Sequence, residues 1–268
     1  MLTSMVCRYE HFETSWYEKW ARQLGFFDPT FSRVLSYRKI WEWCGITQVL
    51  AERGMLAQGR RGCGFAVGKE PLVSLFASLG ADVTATDRAH EHSEARWIET
   101  DNHARSAADL YQQEFLDEAA FARRVKFQPA DMHSLEGVPA GQFDFVWSSC
   151  ALEHLGTLSA GAEFVVKAMT LLKSGGVAVH TTEYNVSSND DTVSAGLDVI
   201  YRRRDLEDLA RRLRQDLCEV APFDYDAGKR PYDLDYDVPP YFETGRKHIK
   251  LLNQGYVITS CLVIIRKG

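Results

Sequence analysis

The stretch Arg61–Leu72, RGCGFAVGKEPL, decides the fold. It gathers Gly62, Gly64 and Gly68 ahead of an apolar run, Leu72-Val73-Ser74-Leu75-Phe76-Ala77. A glycine turn opening into a helix lets the backbone approach a ligand closely and offers it the free N–H groups of the helix N-terminus. The next segment, GADVTATDR, reads as a short strand whose last acidic residue is Asp87. Glycine turn, helix, strand and terminal acid, in this order, are how an α/β sheet grips an adenosine-type cofactor. A carboxylate at that strand end suits a ribose, because it can accept hydrogen bonds from both hydroxyls. Glycine turns are common, so the turn by itself is also compatible with an ordinary loop, and the flanking segments have to decide.

Upstream, residues 1–30 are rich in aromatics, and Trp16, Tyr17, Trp20 and Leu24 recur at helical spacing. They predict a helix packed on the main body, or a lid over a cofactor or substrate. Ser36 is placed to cap a second helix running to about Arg53, with Gly54 as its stop and Ile40, Trp43, Val49 and Leu50 on its apolar side. A short strand is expected from about Arg61 to Phe65.

Downstream, a helical turn is expected near Glu94–Ile98 and a helix over Asp109–Arg124. VKFQPADM predicts a strand ending at Asp131. GQFDFVWSSC predicts another, with Phe143, Phe145 and Trp147 alternating against Asp144 and Val146. A helix is expected over Gly161–Leu172, a buried strand at VAVHTT, and a helix at about Asp205–Asp216. The Pro-, Asp- and Tyr-rich residues 222–248 form a long loop, of the kind that is usually functional in a compact domain. GYVITSCLVIIRKG closes as a long strand or bent pair. Strands alternating with helices mean a doubly wound α/β sheet.

The chain has 268 residues, 45% hydrophobic and 25% charged, enough for a sizeable core. A net charge of -6 argues against a protein whose main task is gripping a phosphate backbone. The arginine-rich YRRRDLEDLARRLR is interleaved with acids and reads as a solvated helix face. Cysteines at 7, 44, 63, 150, 218 and 261 form no C-x-x-C pair, so reduced thiols are expected rather than zinc or disulfides. No apolar run approaches the roughly 20 residues needed to span a bilayer, and the N-terminus lacks a signal peptide's apolar segment. The expectation is a cytoplasmic protein, with oligomerisation left open.

On these motifs the chain resembles the class I S-adenosylmethionine-dependent methyltransferases over roughly residues 60–182. The resemblance rests on Gly64-Phe65-Ala66-Val67-Gly68 as the G-x-G-x-G loop and on Asp87 ending the second strand. It rests also on Ala130-Asp131-Met132 after the third, on FDFVWSSCALEHLG as the fourth strand and its loop, and on LLKSGG before the fifth. It departs from the pattern at Ala66, at Ser174, and at Gly62, where an acid is usual. Alanine keeps a close backbone approach if its φ stays negative, whereas the missing acid leaves the cofactor's amino group to another residue. HTTEYNVSSND, YRRRDLEDLARRL, DVPPY, HIKLL and GYVITSCLVII, with RKIWEWCGITQVLAERGML upstream, look similar to methyltransferases of bacterial polysaccharide and lipopolysaccharide assembly.

The resemblance implies a Rossmann-like, mostly parallel seven-stranded sheet with an antiparallel last strand. An N-terminal helical extension or lid (1–57) precedes an S-adenosylmethionine-binding domain (58–268), whose insertion covers about 222–248. It implies cofactor contacts from Gly64, Phe65, Ala66, Gly68, Asp87, Arg88, Asp131, Met132 and Ser149. Methyl transfer to a hydroxyl needs alignment and a base, and histidine is the natural one. His154, His180 and Glu183 are the catalytic candidates, and Glu153, Asn185, Tyr241 and His248 the acceptor-binding ones. His154 is equally readable as a structural loop residue, His180 as a satisfied core histidine, and His248 as an exposed loop residue. Tyr232, Tyr236, Tyr241 and Phe242 could stack on a sugar face or simply pack their loop. Glu153, His154, His180 and Glu183 could also surround a divalent ion, but no ligand spacing demands a metal.

The expected acceptor is a carbohydrate, as a nucleotide sugar or a glycan end. A small-molecule O- or N-methyltransferase is the alternative. A nucleic-acid methyltransferase is disfavoured by the acidic charge and by SSCALEH standing where an N/D-P-P-Y type motif would be. A non-catalytic cofactor-binding scaffold is the remaining possibility, given Gly62 and Ala66.

Overall fold

Two of the glycines in the opening stretch are where they are because of the strand beside them. In the computed structural model, which describes residues 1–28, 30, 33–89 and 102–268, the strand β4 (Arg61–Phe65) lies parallel to β7 (Phe143–Ser149). A Cβ at Gly62 would fall 2.2 Å from the Phe145 ring, and one at Gly64 would fall 2.3 Å from the Trp147 ring. Two large aromatics therefore lie flat across a strand of small residues.

The remaining strands are β1 (Ser4–Val6), β2 (Phe27–Asp28), β3 (Arg33–Val34), β5 (Asp82–Asp87), β6 (Val125–Pro129), β8 (Leu172–Asn185), β9 (Glu219–Val220), β10 (Phe223–Asp224), β11 (Leu251–Asn253) and β12 (Tyr256–Arg266). The main sheet runs β10-β1-β12-β8-β7-β4-β5-β6, with β9 and β11 also paired to β12. The strands β6, β5, β4, β7 and β8 are parallel, and β12 is antiparallel to β8. This is the mostly parallel, Rossmann-like sheet with antiparallel strands beyond β8. Among the described residues the main sheet has ten strands against the seven expected, because short segments hydrogen-bond onto β12 and β1. Ser4–Val6 lies between β12 and β10, so the N-terminal segment is woven into the same sheet.

The helices are α1 (Ser15–Gln23), α2 (Arg38–Glu52), α3 (Leu72–Ser78), α4 (Glu118–Arg124), α5 (Leu158–Ala168), α6 (Arg203–Gln215) and α7 (Pro231–Leu234). Central strands are buried on both faces, which is why they read as near-continuous apolar runs. One face carries α1, α2 and α3 over Phe145, Trp147, Val177 and Val179. The other carries α5 and α6 over Phe143, Val146, Ala178 and Val263.

Several expectations shift. Phe143 does not pack with Phe145 and Trp147 but lies in the apolar cluster of the opposite face, at the start of β7 where the pairing with β8 is irregular. The helix expected over Asp109–Arg124 forms only at Glu118–Arg124, where Asp117 caps it by accepting from Ala120 N. The second helix has no side-chain cap, and Tyr37 rather than Ser36 precedes it. The third strand stops at Pro129, which cannot donate to a ladder. The helix expected from Gly161 starts at Leu158, capped by Thr157, and ends in a tight turn at Met169–Leu171. The closing segment does form the expected long strand, β12, and β11 just upstream pairs with it as a hairpin. The turn expected near Glu94–Ile98 lies outside the described residues.

The β4–β7 packing sets a test. Gly62→Ala should lower stability by about 1–3 kcal/mol through overpacking, and Phe145→Leu in the same chain should recover part of the loss. Chemical denaturation of both single variants and the double variant checks it, and strictly additive losses would contradict the contact.

Candidate active site

Loops leaving the C-terminal ends of the parallel strands enclose a cavity of about 600 Å³, the ligand edge of such sheets. Beyond β4, Ala66 and Gly68 both take positive φ, +47° and +51°. The negative φ that would have let alanine stand in for glycine is therefore not what Ala66 adopts. The left-handed conformation costs a non-glycine residue about 1–2 kcal/mol, and Val67 N donating to Thr86 O at 3.1 Å helps to hold it. Cys150, just past β7, is in the same region at +48°, with its N–H bonded to Thr181 Oγ1 at 3.0 Å. Backbone strain therefore sits in two of the loops that wall the cavity.

Asp87 ends β5 with its carboxylate facing back over the glycine turn. It accepts from Gly68 N at 3.1 Å, Arg88 N at 2.8 Å and Ala104 N at 3.2 Å, with His103 Nδ1 at 3.5 Å. Burial pushes its carboxyl up, and these N–H groups and His103 pull against that without cancelling it. Past β6, Asp131 accepts from His133 N at 2.9 Å and lies 3.0 Å from His133 Nδ1, and Met132 is buried beside it. Ala66, Gly68, Asp87, Arg88, Asp131, Met132 and Ser149 all line the cavity. Gly64 and Phe65 do not: Gly64 is beneath Trp147, and Phe65 packs edge-on against Phe164.

The catalytic candidates separate. His154 lines the cavity, and its Nδ1 lies 2.8 Å from Asp198 Oδ1 and 3.3 Å from Leu197 O. Burial pulls its pKa down, but the bond to Asp198 and the charges of Glu153 and Asp198 outweigh that and raise it. Glu153 is buried in the wall, where Oε2 accepts from Thr182 Oγ1 at 3.0 Å and Oε1 has no hydrogen-bond partner among the described residues. Burial holds its carboxyl above the usual range even beside His154. Glu183 lines the cavity with Oε1 2.9 Å from Arg38 Nη2 and Oε2 3.3 Å from Asn253 Nδ2.

His180 is elsewhere. Side chains alternate along β8, and position 180 points to the opposite face. It is fully buried against the edge of Phe164, with Nδ1 2.8 Å from Ser148 Oγ. Burial lowers its pKa to about 3, so it is a neutral core histidine and is corrected from the site. Asn185 is also outside the lining. It braces its own turn, accepting from Ser187 N and Ser188 N and donating to Asp191 O and Thr192 Oγ1. Tyr241 donates to Leu252 O, and His248 is buried 2.9 Å from Asp237, stacked on Phe242 and edged by Tyr37. Of that cluster only Tyr37 reaches the cavity, as none of Tyr232, Tyr236, Tyr241 and Phe242 lines it.

Sequence reasoning missed the contribution of α2. Its first two turns present Arg38, Lys39 and Trp43 to the cavity, over a fully buried Glu42. Glu42 accepts from Ser149 Oγ at 3.2 Å, Cys150 Sγ at 3.1 Å, Thr181 Oγ1 at 3.0 Å and Ser260 Oγ, and faces Lys39 and Arg38 at 3.5 Å each. The available signal was a charged triplet at i, i+1 and i+4 opening an otherwise apolar helix. Among the described residues no cluster of His, Cys, Asp and Glu is arranged to hold a metal, and no helix is long and apolar enough to cross a membrane.

The Ala66–Gly68 turn that lines the cavity, and the Asp87 carboxylate facing it from β5, fit an adenosine-bearing cofactor. Residues 62–180 match a family model described as a methyltransferase domain. The comparison with curated proteins found no match. Among solved structures the chain is similar to a proposed sarcosine dimethylglycine methyltransferase from Galdieria sulphuraria, at 13% identity and TM-score 0.52 over 84% of this chain and 83% of that one. It is also similar to the 4+2 cyclase SpnF, at 16% identity and TM-score 0.54 over 83% of this chain and 80% of that one. Such distant likeness shows a shared fold, and one fold hosts many reactions. It is the domain match over the cavity-forming strands that names the chemistry, and the chain is an S-adenosylmethionine-dependent methyltransferase.

Proposed function

We propose that the protein methylates a hydroxyl of a polar small molecule, a carbohydrate in particular, with His154 as the base. The observation that carries this is the His154–Asp198 pair at 2.8 Å in the cavity wall. Asp198 fixes which ring nitrogen holds the proton, so Nε2 is left to accept one. S-adenosylmethionine, when bound, supplies an electrophilic methyl group on a sulfonium. Asp87 accepts from the ribose hydroxyls, Asp131 and Met132 flank the adenine, and Gly68 keeps the turn close. Arg38 fixes Glu183, which orients the acceptor. Glu153 offers its unpartnered Oε1 to an acceptor hydroxyl. His154 takes the hydroxyl proton as the oxygen becomes nucleophilic. The polar wall made by Glu153, His154, Glu183 and Arg38 supports a hydroxyl-rich acceptor. In this reading residues 1–57 form the unit that closes the site through α2, and residues 58–268 carry the cofactor.

The buried, unpartnered Glu153 Oε1 also favours a second reading, an amine acceptor whose charge it would neutralise. Turnover on a panel of sugar nucleotides, free sugars and amines separates the two. Methylation confined to amines, undiminished in His154→Ala, rejects the first.

Two outcomes follow for named residues. Asp87→Ala should weaken S-adenosylhomocysteine by about 1.5–3 kcal/mol, the scale of hydrogen bonds to a charged group, and calorimetry showing unchanged affinity would remove Asp87 from the ribose site. A base must be neutral to act, and the pKa of His154 is raised, so its rate should climb with pH through a limb above the ordinary histidine value of 6.5. Asp198→Asn should move that limb to lower pH, and His154→Ala should abolish it and cut turnover roughly 10²–10⁴-fold. A rate profile flat across this range in the wild-type chain would exclude His154 as base.

A further inference from the structure

Lys39 and Glu70 meet in the cavity wall, between the ends of β4 and β7. Lys39 Nζ lies 2.8 Å from Glu70 Oε1, and it also reaches Ser149 Oγ at 2.9 Å, Ser149 O at 3.2 Å and Glu42 Oε2 at 3.5 Å. Both side chains are largely buried, 24% and 14% exposed, and both line the cavity.

Sheet order gives this pair its place. Along β6-β5-β4-β7 the strand ends bring Asp131, then Asp87, then the Ala66–Gly68 turn, then Ser149. A cofactor with its adenine at the first and its ribose at the second has its amino-acid end at the third and fourth, beside Lys39 and Glu70. That end is a zwitterion, and the wall there carries one ammonium and one carboxylate. Position 62, where an acid is usual, has no room for a side chain, since even a Cβ would meet Phe145 at 2.2 Å.

We propose that Lys39 and Glu70 clamp the amino-acid end of S-adenosylmethionine, Lys39 taking its carboxylate and Glu70 its ammonium in place of an acid at position 62. One ion pair is exchanged for two charge-assisted ones. The Ser149 carbonyl and Glu42 keep Lys39 anchored when Glu70 turns to the ligand. The clamp therefore comes from two places, the first turn of α2 and the loop following the glycine turn. This inference rests on the cofactor lying along the strand ends in the order given above.

The test compares S-adenosylhomocysteine with 5′-methylthioadenosine, which keeps the adenosine and lacks the amino-acid end. Calorimetry is run on the wild-type chain, Lys39→Met and Glu70→Gln. The wild type should prefer S-adenosylhomocysteine at least tenfold, and each variant should lose most of that preference. Affinity for 5′-methylthioadenosine should stay within about twofold throughout. A wild-type chain that binds both ligands equally overturns the clamp without relying on any variant. Variants that weaken both ligands alike show a structural role and overturn it too. A wild-type chain that binds neither overturns the cofactor placement itself, and the clamp with it.

Discussion

Burying the carboxylate of Glu42 is the constraint on which the site depends. The residue is fully buried on α2, beneath the cavity. A buried charge without partners costs several kcal/mol, so the surroundings have to compensate. Burial alone would raise its carboxyl, but Lys39 and Arg38, with the Ser260 hydroxyl and the Cys150 thiol, hold it below the usual range. The donors come from the end of β7, from β8 and from β12. One side chain thereby ties an N-terminal helix to three strands at the edge where the loops form the cavity. Removing one of the hydroxyl donors leaves the charge short of a hydrogen bond, at a cost of about 1–3 kcal/mol.

The aromatic–glycine packing beneath the cavity is the second constraint, and it acts on chemistry through exclusion. Phe145 and Trp147 lie over Gly62 and Gly64, stack against each other, and meet Phe76 edge-on. This fills the space where a residue at position 62 would project. The charged groups at this part of the cavity wall, Lys39 and Glu70, come from α2 and from the loop after the glycine turn, not from β4. A packing decision in the core thus moves polar groups from the sheet to its flanking elements.

Strand alternation sorts the candidate residues. On β8, Thr181 and Glu183 face α2, and His180 faces α5, where it meets Phe164. Thr182, on the His180 face, reaches Glu153 in the loop after β7. A one-residue change of register would exchange these sets. The separation of a charged, hydrogen-bonded side from an apolar side with a neutral histidine is set by that register and by what each helix offers.

The parallel α/β sheet was legible in the sequence, because its signals are local. A glycine turn before a helix, a strand ending in an acid, and apolar runs at Phe143–Ser149 and Tyr256–Arg266 each express backbone preference and burial within a few residues. The positions of Asp87 and Ser149 at strand ends, and of Asp131 just past one, followed from the same order. Only the tertiary structure decided the rest. A central strand buried on both faces shows no polar alternation, so nothing in VAVHTT tells which way His180 points. The charges opening α2 resemble a solvated helix start, and their partners at Ser149, Thr181, Glu183 and Ser260 lie more than a hundred residues away. Asp198 becomes the partner of His154 only because the chain after β8 folds back over the loop that follows β7. Local pattern determines which elements form, and long-range packing determines which side chains those elements bring together.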